Sequence, residues 1–230
     1  MKIIDCEQYS PEWWEYRRGI PTASEFHRIM SPVKFAMGGQ KKYIAQLIAE
    51  RMCQTPNFFT DSGNVRGRDS EETRRGRERE AEARAWYALE RNVRVIEVGM
   101  VKDDDGRWGG SPDGLIIDKE TGVHRDAGQV YLSRRPIGGL ELKCPREDTQ
   151  TERLMDGGLP DEYKCQVHGH LWLTGLPWWD WMSYSPPLPP LLLRVFPYAF
   201  TAKLGAAVEA FHEKLMESIG RISNMGGNHE

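Results

Sequence analysis

Glu141 and Lys143 stand two residues apart in Gly138-Gly139-Leu140-Glu141-Leu142-Lys143-Cys144-Pro145. Leu140 and Leu142 alternate with them, the period-2 pattern of a half-buried strand, so the carboxylate and the ammonium project from one face. Two glycines open the run and Pro145 closes it. Glu-x-Lys by itself also describes a surface ion pair on an edge strand. Ser111-Pro112-Asp113-Gly114-Leu115 upstream shifts the balance. Pro112 fixes φ and Gly114 permits a tight turn, so Asp113 is held at a bend leading into the strand-like Leu115-Ile116-Ile117. Two adjacent strands would join Asp113 to Glu141 and Lys143. Two carboxylates, several waters and a substrate phosphate suit Mg²⁺, a hard cation with octahedral geometry. A lysine beside that ion can position an attacking water and offset the charge that builds on phosphate.

The elements that must hold these residues fit in 230 residues and 26.4 kDa, a length suited to one large domain with a substantial core. Hydrophobic residues make up 39%, enough to fold, and no long apolar run reads as a membrane span or signal peptide. Cys6, Cys53, Cys144 and Cys165 are scattered without a Cys-x-x-Cys pair, which argues against a zinc knuckle or a disulfide framework and fits a reducing cytoplasm. Cys144 and Cys165 read as small buried thiols. The formal charge of −3 does not advertise a nucleic-acid partner, so contact with DNA must come from local arginine clusters.

Taken in order, residues 1–12 read as a short strand and turn, and Trp13 to Gly19 as a short helix closed by glycine. Thr22 and Glu25 then have capping-box spacing, with Pro21 and Phe26 placed for a hydrophobic staple. Free amides near Ala23 and Ser24, with Arg17 and Arg18 just before, make a phosphate seat. The plainer alternative is an ordinary capped helix flanked by solvated arginines. Residues 34–40 read as a loop, Tyr43 to Cys53 as an amphipathic helix, and 54–69 as a polar linker. The charged run from Arg66 to Arg84 continues as a helix through Leu89. On it Glu80 shares a stripe with Gly76, Ala83 and Tyr87, while Glu78 and Glu82 remain rivals.

Val93 to Met100 reads as a strand and Val101 to Gly110 as a turn whose three aspartates form a hydrated tip. Residues 120–135, polar and rich in turn residues, predict a protruding hairpin that a short turn could replace. Asp161 to Thr174 is a helix with Tyr163, Val167, His170 and Leu171 on one face. Gln166 falls within that stripe, and a buried glutamine needs a partner. His168 and His170 read as structural. Trp178 to Tyr184 is a strand whose tryptophans serve packing rather than base stacking. Pro186 to Pro190 is a stiff turn, Leu191 to Phe196 a strand, Thr201 to Ile222 a closing amphipathic helix, and 226–230 a frayed end.

Pro-Asp followed by Glu-x-Lys is the constellation of restriction-endonuclease-like nucleases. The fold class expected is therefore α/β, a central mixed sheet flanked by helices. More closely, the chain resembles the phage lambda exonuclease family, the YqaJ-type viral recombinase nucleases, in register from about Trp14 to the closing helix. The resemblance rests on Arg17 with Gly19, Thr22-Ala23-Ser24-Glu25, Gly76 and Glu80 with Ala83-Arg84, Ser111 to Leu115, Leu140 to Pro145, and Gln166-Val167.

That resemblance implies a 5′-to-3′ exonuclease on double-stranded DNA, dependent on Mg²⁺ or Mn²⁺, that leaves 3′ overhangs for recombination by strand annealing. Asp113 and Glu141 would be metal ligands, with the backbone carbonyl of Leu142 beside them. Lys143 would assist the water, Glu80 would complete the acidic site, and Gln166 would orient that water or a neighbouring side chain. Arg17 and Ser24 would hold the 5′-phosphate, with Ser111 near the scissile or adjacent phosphate. The resemblance also implies a ring-shaped homotrimer around DNA, a phage single-strand annealing protein as partner, no membrane, and a bacterial host cytoplasm. The connection between Asp113 and Glu141 is longer than is usual in the family. A Cas4-like or RecB-like enzyme with an iron–sulfur cluster would need clustered cysteines, which this chain lacks. A non-catalytic DNA-binding module would have lost acidic positions that this chain keeps.

Overall fold

A computed structural model describes residues 1–31, 39–53 and 71–226, with the backbone alone for 71–77 and 226. In chain order the elements are β1 (Lys2–Ile4), α1 (Pro11–Arg17), a 3-10 helix (Ala23–Arg28), α2 (Gln40–Met52) and α3 (Glu71–Arg91). Next come β2 (Arg94–Ile96), β3 (Met100–Lys102), β4 (Gly109–Gly110), β5 (Gly114–Ile117), β6 (Val123–Asp126), β7 (Gln129–Leu132) and β8 (Gly138–Lys143). The chain closes with α4 (Glu147–Asp156), α5 (Asp161–Thr174), β9 (Trp179–Ser183), β10 (Leu191–Val195) and α6 (Ala199–Gly226). The expected loop at 34–40 falls mostly outside the described residues, as do the linker at 54–69, the start of the charged run and the last four positions.

The strands form two five-stranded sheets, β10-β9-β8-β5-β2 and β4-β3-β1-β7-β6. The first is mixed: β8 runs parallel to β9 and antiparallel to β5. This is the restriction-endonuclease-like core, and helices cover both faces. Leu115 and Ile117 turn to one face, where they pack in one cluster with Val167 and Leu171 of α5. Ile116, Leu140 and Leu142 turn to the other, against Ala83 and Tyr87 of α3. The alternation read in the sequence is real, but β8 is buried on both faces rather than half-buried. Gly138 and Gly139 explain the close fit, since a Cβ at either would meet the ring of Trp178 or Trp179 at 2.4 or 2.3 Å. Trp179 and Trp181 are fully buried, as packing residues should be. A separate core gathers Phe26, Tyr43, Leu47, Trp108 and the apolar side of α6, including Leu204, Val208 and Phe211. Among the described residues no helix is long and apolar enough to cross a membrane.

Four local expectations change. The strand expected over Val93–Met100 is two strands in different sheets, broken at Gly99, where a Cβ would meet Cys6 Sγ at 2.3 Å. The turn expected over Val101–Gly110 begins and ends as the hairpin β3–β4. No capping box forms at Thr22: its side chain makes no cap bond, and Ala23–Arg28 is a 3-10 helix. Helix α4, polar along most of its length, has no counterpart in the reading of the sequence.

The hairpin expected at 120–135 is present as β6–β7, but it does not simply protrude. Ile4 of β1 pairs with Gln129, the Asp5 amide donates to the Gly128 carbonyl at 2.8 Å, and Val130 and Thr121 are buried. The long connection thus builds one side of the second sheet, and β5 and β8 still pair directly. Replacing residues 121–134 by a short turn is therefore expected to destabilise the protein, by about 1.5–3 kcal/mol for the lost burial of Val130 alone. Thermal melting of the shortened chain checks this, and an unchanged midpoint would return the hairpin to the status of an ornament.

Candidate active site

Asp113 sits at the entrance to β5, and its amide donates to the Leu140 carbonyl at 3.2 Å. Its Oδ2 accepts the amide of Leu142 at 2.6 Å, which fixes the carboxylate against β8. From α3, Arg84 Nε donates to the Asp113 carbonyl at 2.9 Å and its Nη1 pairs with Glu97 at 2.9 Å. One residue further along β8 from Leu140, Glu141 is 1% exposed. Its Oε1 accepts from Lys143 Nζ at 2.7 Å and from Gln166 Nε2 at 2.6 Å. Its Oε2 is buried with no hydrogen-bond partner and lies 3.6 Å from Nδ1 of His170. Lys143 Nζ stands 5.0 Å from the centre of the Tyr163 ring, and that phenol accepts from Arg153 at 2.7 Å.

Burial sets the electrostatics. It pushes Asp113 above the ordinary carboxylate range, against the pull of Lys143 and the Leu142 amide. It pushes Glu141 up to about 8, with Asp113 and Glu80 adding to the effect while Lys143 opposes it. Burial opposes charge on Lys143, but Glu141 and Asp113 outweigh it and hold the ammonium above its ordinary value. The site is thus a set of acids short of positive charge, with one carboxylate oxygen left dry. A divalent cation fits that deficit. Among the described residues no group of three or more His, Cys, Asp or Glu side chains is placed to hold a metal ion; Mg²⁺ bound by two carboxylates does not need one when water and phosphate complete its shell.

Glu80 lines, with Asp113, Arg84, Glu97 and Tyr9, a cleft of about 620 Å³ that opens beside the site. Its rival Glu82 instead accepts from Tyr184 at 2.9 Å, and Glu78 is exposed. Leu142 shows its amide to Asp113; its carbonyl is not among the contacts that hold the pair together.

A second cluster adjoins the first. Arg17 donates to Ser111 Oγ at 3.0 Å, to Thr22 Oγ1 at 2.9 Å and to Ser24 Oγ at 3.1 Å. Its guanidinium stacks 4.3 Å from the Trp13 ring, whose Nε1 also donates to Ser111 Oγ at 2.9 Å. Burial pulls Arg17 down, but a guanidinium keeps its charge. A half-buried cation bonded to three hydroxyls, each able to donate as well as accept, is ready for an anion. This differs from the expected helix-end seat, because Thr22 turns its hydroxyl to Arg17 rather than to an amide. Arg18 points elsewhere, pairing with Glu15 at 2.9 Å.

The match with known proteins falls on this ground. The YqaJ-like viral recombinase domain spans residues 12–177, which takes in both clusters. The chain belongs to this family. As a YqaJ-like chain it is similar in structure to the alkaline exonuclease LHK-Exo from Laribacter hongkongensis, at 27% identity and a TM-score of 0.75, covering 96% of this chain and 100% of that one. The same exonuclease in complex with dAMP gives 27% identity over the same shares and a TM-score of 0.74. A phage-related exonuclease from Haemophilus somnus 129PT shares the fold, at 12% identity and a TM-score of 0.57 over 90% of this chain and 96% of that one. Among curated proteins none matches this YqaJ-like chain.

Reading by spacing missed Tyr163 and His170 as neighbours of the site, although both lie on the stripe of α5 that carries Gln166. The contacts of Trp13 and Arg84 were equally hidden, because their partners Ser111 and Asp113 lie far off in sequence.

Proposed function

We propose that this chain is a Mg²⁺-dependent exonuclease that removes nucleotides from the 5′ end of one strand of duplex DNA, leaving 3′ overhangs for recombination by strand annealing. One observation carries the reading: the hydroxyl of Ser111 belongs to the Arg17 cluster, and two residues on, Asp113 belongs to the acidic one. A pocket for a terminal phosphate and a cleavage site therefore adjoin, separated by roughly 7 Å of chain at most, a length comparable to one nucleotide step.

Asp113, Glu141 and the Leu142 carbonyl would hold the cation, with Glu80 near its shell and Mn²⁺ able to substitute. When bound, the cation lowers the pKa of a water and offsets charge on the scissile phosphate. Lys143 holds its proton throughout and donates toward the attacking water or a phosphate oxygen. Gln166 keeps Glu141 from rotating. Arg17, Ser24 and Ser111 grip the terminal phosphate. The likeness to an alkaline exonuclease and membership of a viral recombinase family support the reaction class. The same resemblance supports a homotrimeric ring around DNA, a phage annealing protein as partner and a place in the host cytoplasm. Digesting linear duplex labelled at either end, with and without Mg²⁺, tests the proposal: label at the 5′ end should leave first, only with metal, as mononucleotide. Loss from the 3′ end first would reverse the polarity, and no cleavage at all would leave a DNA-binding module.

The pH dependence has a definite sign. A carboxylate raised to about 8 binds its proton more tightly in the folded chain than in the unfolded one. Glu141 thus contributes stability to the metal-free protein that is present at low pH and is lost as pH rises from the ordinary carboxylate range to about 8. Over the same window a cation must displace that proton, so Mn²⁺ affinity should rise by roughly tenfold per pH unit and level off above it. Calorimetric titration of Mn²⁺ into the protein from pH 6 to pH 9 reads this directly. A flat profile would show Glu141 already ionised.

A further inference from the structure

Helix α5 meets Glu141 at two points. Gln166 donates to Oε1 at 2.6 Å, and one turn further on His170 brings Nδ1 to 3.6 Å from Oε2. His170 is fully buried, and neither of its ring nitrogens has a hydrogen-bond partner. The other histidine on the helix behaves differently, since His168 Nδ1 is 2.8 Å from Thr201 Oγ1. The His170 ring lies flat on Trp179, with centroids 4.6 Å apart and planes 18° apart. On its Nε2 side it abuts Gly110, where a Cβ would come within 2.6 Å. Wedged between β9 and β4, the ring cannot turn away from Glu141. A phenylalanine would stack on Trp179 equally well and would not leave two nitrogens dry. What a phenylalanine lacks is a donor aimed at the one oxygen of Glu141 that nothing else holds.

We propose that His170 is a positioning residue whose Nδ1–H braces Oε2 of Glu141 while Gln166 braces Oε1, so that α5 clamps both oxygens of a metal-binding carboxylate. The proposal rests on the nuclease reading above. At 3.6 Å the contact is not yet a hydrogen bond, and an approach of about 0.5 Å makes it one. Contacts in catalytic sites commonly tighten in this way when the ligand arrives. Oε2 has two lone pairs, so it can accept from His170 and still face the cation, as metal-binding carboxylates generally do. The neutral ring has a single N–H, and placing it on Nδ1 leaves Nε2 toward the Gly110 wall.

Three substitutions separate a donor from mere packing. His170→Phe keeps the ring and its stacking, His170→Asn keeps a donor at the place of Nδ1, and His170→Gln keeps polarity but puts its donor elsewhere. Mn²⁺ binding by calorimetry on the free protein and steady-state cleavage of 5′-phosphorylated duplex are the readouts, with melting curves to confirm folding. His170→Phe and His170→Gln should lower Mn²⁺ affinity and kcat by roughly 10–100-fold with KM for DNA unchanged, and His170→Asn should recover most of both. Wild-type behaviour in His170→Phe overturns the clamp, as does an equal loss in all three folded variants. Should His170→Phe fail to fold, His170→Asn against His170→Gln decides, and equality between them overturns the clamp. A wild-type protein that neither binds Mn²⁺ nor cleaves overturns the nuclease reading, and the clamp with it.

Discussion

Asp113→Asn and Glu141→Gln are each expected to lower Mg²⁺-dependent cleavage by at least about a thousandfold while leaving the chain folded. The amide isosteres are the sharper variants. In Asp113→Asn the side-chain oxygen can still accept the Leu142 amide, a contact now 2.6 Å long, so the β5–β8 junction survives the change. In Glu141→Gln the side-chain oxygen can still accept from Lys143 and Gln166. What both variants lose is negative charge facing the proposed cation, and a metal contribution of several kcal/mol corresponds to about three orders of magnitude in rate. Glu141→Ala is a blunter probe, because it strips Lys143 of a partner at 2.7 Å. Breaking a buried pair that way commonly costs about 3–5 kcal/mol of stability, less here because Lys143 retains some access to water. Lys143→Ala should be comparably inactive yet still bind Mn²⁺. Single-turnover digestion, together with fluorescence anisotropy of labelled duplex, separates chemistry from binding. Substantial Mg²⁺-dependent activity in Glu141→Gln would remove that carboxylate from the metal site.

Arg17→Ala should erase most of a preference for duplexes ending in 5′-phosphate over those ending in 5′-hydroxyl. A terminal phosphate carries more charge than an internal diester and can accept two guanidinium bonds at once. Arg17 already forks toward Ser111 on one nitrogen and toward Thr22 and Ser24 on the other. A charge-assisted contact contributes about 1.5–3 kcal/mol, or roughly one to two orders of magnitude in discrimination. Arg18 is the control on the same stretch of chain, tied to Glu15 at the surface. Equal losses in Arg17→Ala and Arg18→Ala, on both kinds of end, would reduce the pair to screening charge.

How much of this was legible depended on whether a partner was near in sequence. Glu141 and Lys143 share a face because a strand repeats every two residues, and that needs no tertiary information. Gln166 stood out because an amide on an apolar stripe has to find a partner, and α5 runs over the very residues, Asp161–Thr174, that its periodicity marks. Thr22 misled although its partner is near. Its hydroxyl has two uses close in sequence, capping and Arg17, and the spacing to Glu25 reports only the first. The strand expected through Val93–Met100 failed because Gly99 meets Cys6 of the N-terminal segment, and nothing nearby in sequence announces that contact. The hairpin at β6–β7 was foreseeable as a hairpin from its turn residues. Its attachment to β1 was not, since strand pairing between the N-terminus and residue 129 leaves no trace in either segment.

Ser111, Pro112 and Asp113 form a caliper. Its one jaw is the hydroxyl under Arg17 and its other jaw is the carboxylate fastened to Leu142, and the gauge between them is covalent, stiffened by a proline ring. Both jaws sit on three consecutive residues of one backbone stretch. Under the nuclease reading, the length of the released fragment is then a property of the backbone, indifferent to temperature, salt or the sequence being digested. An insertion beside Pro112 would change what is released as well as how fast, and the sizes of the fragments would report the new opening of the jaws.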